Sequence, residues 1–330
     1  MADMKTIKEH IKSLMLPISM MTGASMYLIW HWLPQPIHCA GPVLEHIVAI
    51  IQPLMIFAML FLTFCRIEPR ELRPHRWHWW LLLIQGGSFT ILGFIIVLLG
   101  KLLPSGDTAW VVLIESAMLC LICPTATAAA VVTRKLGGDI PGITTYTILI
   151  NILTAILVPT IVPLIQPTGG LNFWDAFCKI LAKVFPLLIM PCLCAWLVRY
   201  LLPSFHKAIL GKPDLAFNIW AVSLALAITV TVKAIMHSTL GIVLMLLIAL
   251  VSLVCCALQF ALGHLVGSSY GHRPGHHDKR VTAGQALGQK NTVFAIWMGY
   301  TFMTPETSIV GGFYSLWHNL YNSWQLRKIQ

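Results

Sequence analysis

About ten apolar stretches of membrane-spanning length run through this sequence, at 12–33, 43–65, 78–100, 109–133, 141–164, 175–201, 215–235, 239–264, 281–301 and 305–325. A span needs about 20 mostly apolar residues. In lipid, only helices and closed barrels satisfy their own backbone groups. Segments this long and this apolar therefore predict an all-α membrane protein. Charge agrees with that reading: 10% of the 330 residues are charged, against roughly 25% in soluble domains. Mean hydropathy is +0.78. The lead-in "MADMKTIKEHIKSLMLPISMM" is basic and mildly amphipathic. It lacks the short apolar core and cleavage site of a signal peptide, so it is expected to stay on the mature protein.

The formal net charge is +10. In a soluble protein that excess would suggest nucleic acid; here the cations flank the spans and no nucleic-acid partner is expected. Arg66, Arg70, Arg73 and Arg76 lie in the second connection, Arg134 and Lys135 in the fourth. Lys207 and Lys212 lie in the sixth, and Arg273, Lys279 and Arg280 in the eighth. The odd connections are nearly free of cations. The positive-inside rule then puts both termini in the cytoplasm, which an even number of spans also requires.

Ten spans divide as five plus five, 1–165 and 166–330. An odd number per half inverts one half relative to the other, the precondition for an inverted repeat. The fourth and ninth spans become equivalent, and both have unusual middles. In "CLICPTATAAAVVTRK", Pro124 removes a backbone donor and disfavours helix before it, with Thr125 and Thr127 beside it. In "GQALGQKNTVFA", Gly284 and Gly288 precede Gln289, Lys290 and Asn291. Paired interrupted spans in matching halves point to a transporter site near the midplane. The alternative is two kinked packing helices.

These residues resemble a family. "CPTATAAAVVTRKLGGDIPGITTYTILINILTAILVPTIVPLI" is similar to the fourth and fifth spans of the bile acid:sodium symporter family. "DKRVTAGQALGQKNTVFA" resembles its ninth span, and "PETSIVGGFYSLWHNLYNSW" its tenth, with His318 and Asn319 matching a recurring pair. Gln85 falls where the third span usually carries a glutamine. The resemblance implies a panel domain of spans 1, 2, 6 and 7 and a core domain of spans 3–5 and 8–10, with spans 4 and 9 discontinuous and crossing. It implies alternating-access transport of an organic anion, steroid-like or a small carboxylate, usually with sodium.

The sequence departs from that pattern at the sodium positions. The ninth-span glutamate aligns with Ala286, the serine and asparagine after the fourth-span break with Ala129 and Ala130, and a fifth-span hydroxyl with Ile143. Thr147 keeps its hydroxyl. The ninth-span glutamine aligns with Lys290. An intramembrane lysine costs at least about 2.5–3.5 kcal/mol on insertion scales, so it needs a partner, a wet cavity or a way to shed its charge. Three readings follow: a fixed cation in place of the second sodium, a group that gains and loses a proton, or a contact to the anion. Snorkelling to the interface is the fourth. Coupling is thus expected to shift from sodium to proton or to none. A sodium symporter with other ligands, an uncoupled facilitator and an anion-binding receptor stay open.

Around this core, Asn151, Thr144, Thr145 and Thr292 are candidate lining residues, and Glu115 is expected near the outer mouth. No cofactor is expected. His272, His276 and His277 sit in a basic loop and form a weak metal candidate. The nine cysteines lack zinc-ribbon spacing and read as small core residues. Neither a nucleophile–base pair nor a glycine-lysine-serine phosphate loop is present, so neither an enzyme nor an ATP-driven pump is expected.

Overall fold

The computed structural model describes residues 2–34, 41–102, 109–166, 172–212, 214–238, 240–270 and 278–328. Among them the regular structure is helical throughout. The helices are α1 (Ala2–Trp32), α2 (Gly41–Phe64), α3 (Arg76–Leu102), α4 (Ala109–Ile122), α5 (Ala129–Lys135), α6 (Ile140–Ile165) and α7 (Phe173–Leu188). They continue with α8 (Met190–Leu201), α9 (Pro203–Leu210), α10 (Leu215–His237), α11 (Ile242–Ser268), α12 (Lys279–Gly288), α13 (Thr292–Phe302) and α14 (Pro305–Arg327). Six helices are long and apolar enough to cross a membrane: α2, α3, α6, α7 with α8, α10 and α11. The expected fourth and ninth spans are each split into two short helices, and α1 and α14 are more polar than the six. The histidine loop, His272, His276 and His277, lies outside the described residues, as does Cys39.

Local chemistry sets the boundaries. Asp139 caps α6 by accepting from Gly142 N at 3.1 Å, and Asp278 caps α12 by accepting from Arg280 N at 2.8 Å. Thr304 caps α14 by accepting from Thr307 N, with Pro305 opening the helix; these are favoured start residues. After α5 the chain turns at Gly137, the only described residue with positive φ, at 78°. Gly138 N then bonds back to Thr133 O at 2.8 Å, a glycine-dependent helix stop. The stretch 175–201, expected as one span, bends at Ile189 between Pro186 and Pro191. The segment 203–210, expected as a plain connection, is the separate helix α9.

Helices α1, α2, α7, α8 and α10 pack in neighbouring pairs, and α3–α6 with α11–α14 pack around the two interruptions. The α11–α12 pair is closest. Gly263 and Gly267 on α11 lie directly against the α12 backbone, the small-xxx-small approach common between membrane helices. The turn after α5 docks on the start of α12: Asp278 N donates to Gly137 O, and Asp139 N to Thr282 Oγ1 at 2.7 Å. Six of the eight described cysteines are buried, as expected of core residues.

Candidate functional site

Where α4 stops, its last carbonyls lose their intrahelical partners. Side chains from three other elements replace them. Leu121 O accepts from Lys290 Nζ at 3.3 Å. Ile122 O accepts from Gln85 Nε2 and Thr154 Oγ1, both at 3.1 Å. Cys123 O accepts from Gln85 Nε2 at 2.9 Å. Beyond them the two interruptions bond to each other. Asn291 N donates to Pro124 O and Ala126 N to Gln289 O, each at 2.8 Å. Thr125 Oγ1 donates to Ala286 O at 2.7 Å. Gly288 O accepts from Tyr314 OH at 2.8 Å. Two backbones that would each be orphaned in lipid are thus mutually satisfied, with Thr125 and Lys290 as the bridged pair.

Lys290 is 1% exposed, so it does not snorkel. Among the described residues no carboxylate lies within ion-pair distance of it. The ammonium sits instead at the C-terminal end of α4, where the helix dipole is negative. Its other near neighbours are the thiols of Cys120, Cys123, Cys255 and Cys256.

One face of this junction walls a cleft lined by Thr127, Gln289, Lys290, Asn291, Thr292, His318 and Asn319. Seven of the eleven site residues expected from sequence therefore meet there. The space in it that a water-sized molecule can reach is about 20 Å³, room for about one water, so the cleft is nearly closed in this conformation. Three polar atoms of the lining residues are buried without a partner: Gln289 Oε1, Asn291 Nδ2 and His318 Nδ1. Asn291 also caps α13, its Oδ1 accepting from Phe294 N at 3.2 Å. Asn319 is occupied within its own helix by Ser315 O.

The other four expected residues lie behind the wall. Gln85 braces α4 and accepts from Tyr146 OH at 2.8 Å. Thr125 is spent on Ala286 O. Thr147 bonds within α6 to Ile143 O at 2.9 Å. Asn151 is buried, with only a long 3.5 Å contact to Leu188 O. Of the weaker candidates, Thr145 bonds to Pro141 O within α6 and Glu115 is fully buried rather than at a mouth. Sequence reasoning missed the apolar wall, Met59 from α2 and Trp220 from α10. Only their spans' packing identifies them, because nothing in either residue type marks a site.

Set beside known protein families, residues 24–326 match the SBF-like CPA transporter family. The chain belongs to this family. None of the curated proteins matches it. The SBF-like CPA transporters are bile acid:sodium symporter-like secondary carriers. Membership, with six apolar helices of spanning length, makes this a multi-pass membrane transporter for a small molecule. In this SBF-like CPA transporter the residues that the sequence resemblance sets at sodium positions lie among apolar side chains. Ala129, Ile143 and Ala286 are fully buried in one apolar cluster with Leu81, Ile150 and Leu287, and Ala130 packs against it. Among the described residues no group of three His, Cys, Asp or Glu is placed to hold a metal.

Proposed function

We propose that this SBF-like CPA transporter carries an organic anion by alternating access, with the Lys290 ammonium in place of a coupling sodium. The observation that carries the reading is the Lys290 Nζ–Leu121 O bond at the broken end of α4, in the wall of a polar cleft. A cation there stabilises the dipole end of α4 permanently, as a bound ion would do only when present. The N-terminus of α13 opens beside it, a positive dipole end suited to an anionic group.

On this reading α4 with α5 and α12 with α13 are the fourth and ninth of ten spans, in two inverted halves, 1–165 and 166–330. Helices α1, α2, α7, α8 and α10 form the panel, and α3–α6 with α11–α14 form the core. Met59 and Trp220 then belong to the panel and Lys290, His318 and Asn319 to the core, so movement between the two opens and closes the cleft. Both termini face the cytoplasm.

The test is uptake of a labelled anion panel into proteoliposomes with sodium, potassium or proton gradients imposed in turn. Transport without any sodium effect is expected, with loss of uptake in Lys290→Gln. Sodium-driven accumulation, or a Lys290→Gln protein with unchanged uptake and pH dependence, would remove the lysine from this role.

A further inference from the structure

Glu115 lies at the middle of α4, 0% exposed. Among the described residues it is the only buried carboxylic acid, as Lys290 is the only buried lysine or arginine. The two do not pair. Six residues, about 9 Å of helix, separate Glu115 from Leu121, whose carbonyl holds Lys290. Neutral donors hold the carboxyl: Gln166 Nε2 to Oε1 at 2.6 Å and Thr307 Oγ1 to Oε2 at 2.8 Å. The Thr307 hydroxyl also meets Thr304 Oγ1 at 2.7 Å, and either can donate. Thr304 is half-buried.

The titratable groups at this end of the elements packed on α4 are Lys101 of α3, Tyr300 of α13 and Glu306 of α14. On α11 the nearest are Cys255 and Cys256, toward the other end of α4. None of them pairs with Glu115. A salt bridge would fix the charge of this carboxyl; here only reversible hydroxyl and amide bonds hold it. Protonated, it donates to Thr307, whose hydroxyl turns to donate to Thr304. Deprotonated, it accepts from Thr307, and Thr304 donates in turn. The two hydroxyls form a continuous hydrogen-bonded chain from Glu115 to half-buried Thr304, along which a proton can be passed in either direction. An intramembrane acid of this kind is the usual material of proton relays.

We propose that Glu115 is a proton-binding site, and that its proton couples the movement of the anion. It rests on the carrier reading above. Glu115 ties together two elements of the core wall: α4 ends at the Lys290 contact, and α14, with Thr307 in its first turn, carries His318 and Asn319.

The test uses the full chain in proteoliposomes with labelled taurocholate and labelled pantoate, read as counterflow exchange and as accumulation under a proton gradient. Wild type and Glu115→Asp are expected to do both. Glu115→Gln keeps measurable exchange and loses accumulation by about 5- to 150-fold, the usual range of coupling between two sites. Accumulation in Glu115→Gln equal to wild type overturns the proposal. So does wild-type exchange that ignores the proton gradient, an outcome that leaves the carrier reading standing. If wild type moves neither probe, the carrier reading fails, and infrared spectra of the purified chain across pH still decide proton binding. A titrating carboxyl band missing from Glu115→Gln is expected; its absence from wild type overturns the site. Should Glu115→Gln fail to insert, Thr307→Val must shift the midpoint of that band, and an unshifted band counts against the proposal.

Discussion

A buried lysine with no carboxylate partner among the described residues makes opposing demands on stability and function. Replacing Lys290 by methionine keeps length and removes a charge that is costly in lipid. It also strands Leu121 O, at about 1–3 kcal/mol. These terms nearly cancel, so Lys290→Met should melt in detergent close to wild type while transport falls at least about tenfold, or 1.4 kcal/mol. Equal transport would show that the charge is ornamental. Gln85 gives the contrasting case. Gln85→Leu leaves Cys123 O and Tyr146 OH unpaired, each worth about 1–3 kcal/mol, so the melting temperature should drop. Adding Tyr146→Phe should recover part of that loss, because the two side chains share one bond. A double variant that is simply additive would rule out the brace. Gln85 and Gln289 are both buried amides in the sequence reading, and both were expected at the site. Only packing separates the one whose donors are consumed by α4 from the one that lines the cleft with its Oε1 unpartnered.

Helices meet here through glycine where backbones must touch. A Cβ on Gly263 would sit 2.5 Å from Ala283 O and 2.8 Å from Gly284 Cα, and backbone atoms cannot swing aside. Gly263→Val should therefore destabilise by about 1–3 kcal/mol or more, seen as a smaller folded fraction on size-exclusion chromatography. Wild-type yield and melting would show that α11 and α12 are further apart. Prolines behave less uniformly. Pro124 coincides with a true interruption, yet Pro159 and Pro163 lie inside a continuous α6. At Pro124 a second broken segment bonds the freed backbone groups, whereas α6 runs on unbroken through its prolines. Proline alone cannot reveal this from sequence, which is also why the bend at Ile189 and the separate α9 were not expected.

At the scale of the whole chain, the apolar stretches were legible because spanning length is a property of composition alone. The candidate cleft was legible because its polar residues fall in three short motifs, around 127, 289–292 and 318–319. The apolar wall was not, since Met59 and Trp220 reach the cleft only through helix packing. The proposal that a lysine replaces the coupling sodium makes a prediction about the entire fold. A ligand held at 100 times its Kd stabilises by about 2.7 kcal/mol. Exchanging sodium chloride for choline chloride should leave the melting curve of the purified protein unmoved. A clear rise in sodium would mean an ion site built from other oxygens. The junction of the two interruptions also has a consequence for how the chain is made. Thr125 and its acceptor Ala286 are 161 residues apart. At about 5–20 residues per second of synthesis, the first interruption waits roughly 8–32 s for its partner. During that time its carbonyls face lipid or an insertion factor, so ribosomes stalled before residue 286 should release chains that quality-control proteases clear first.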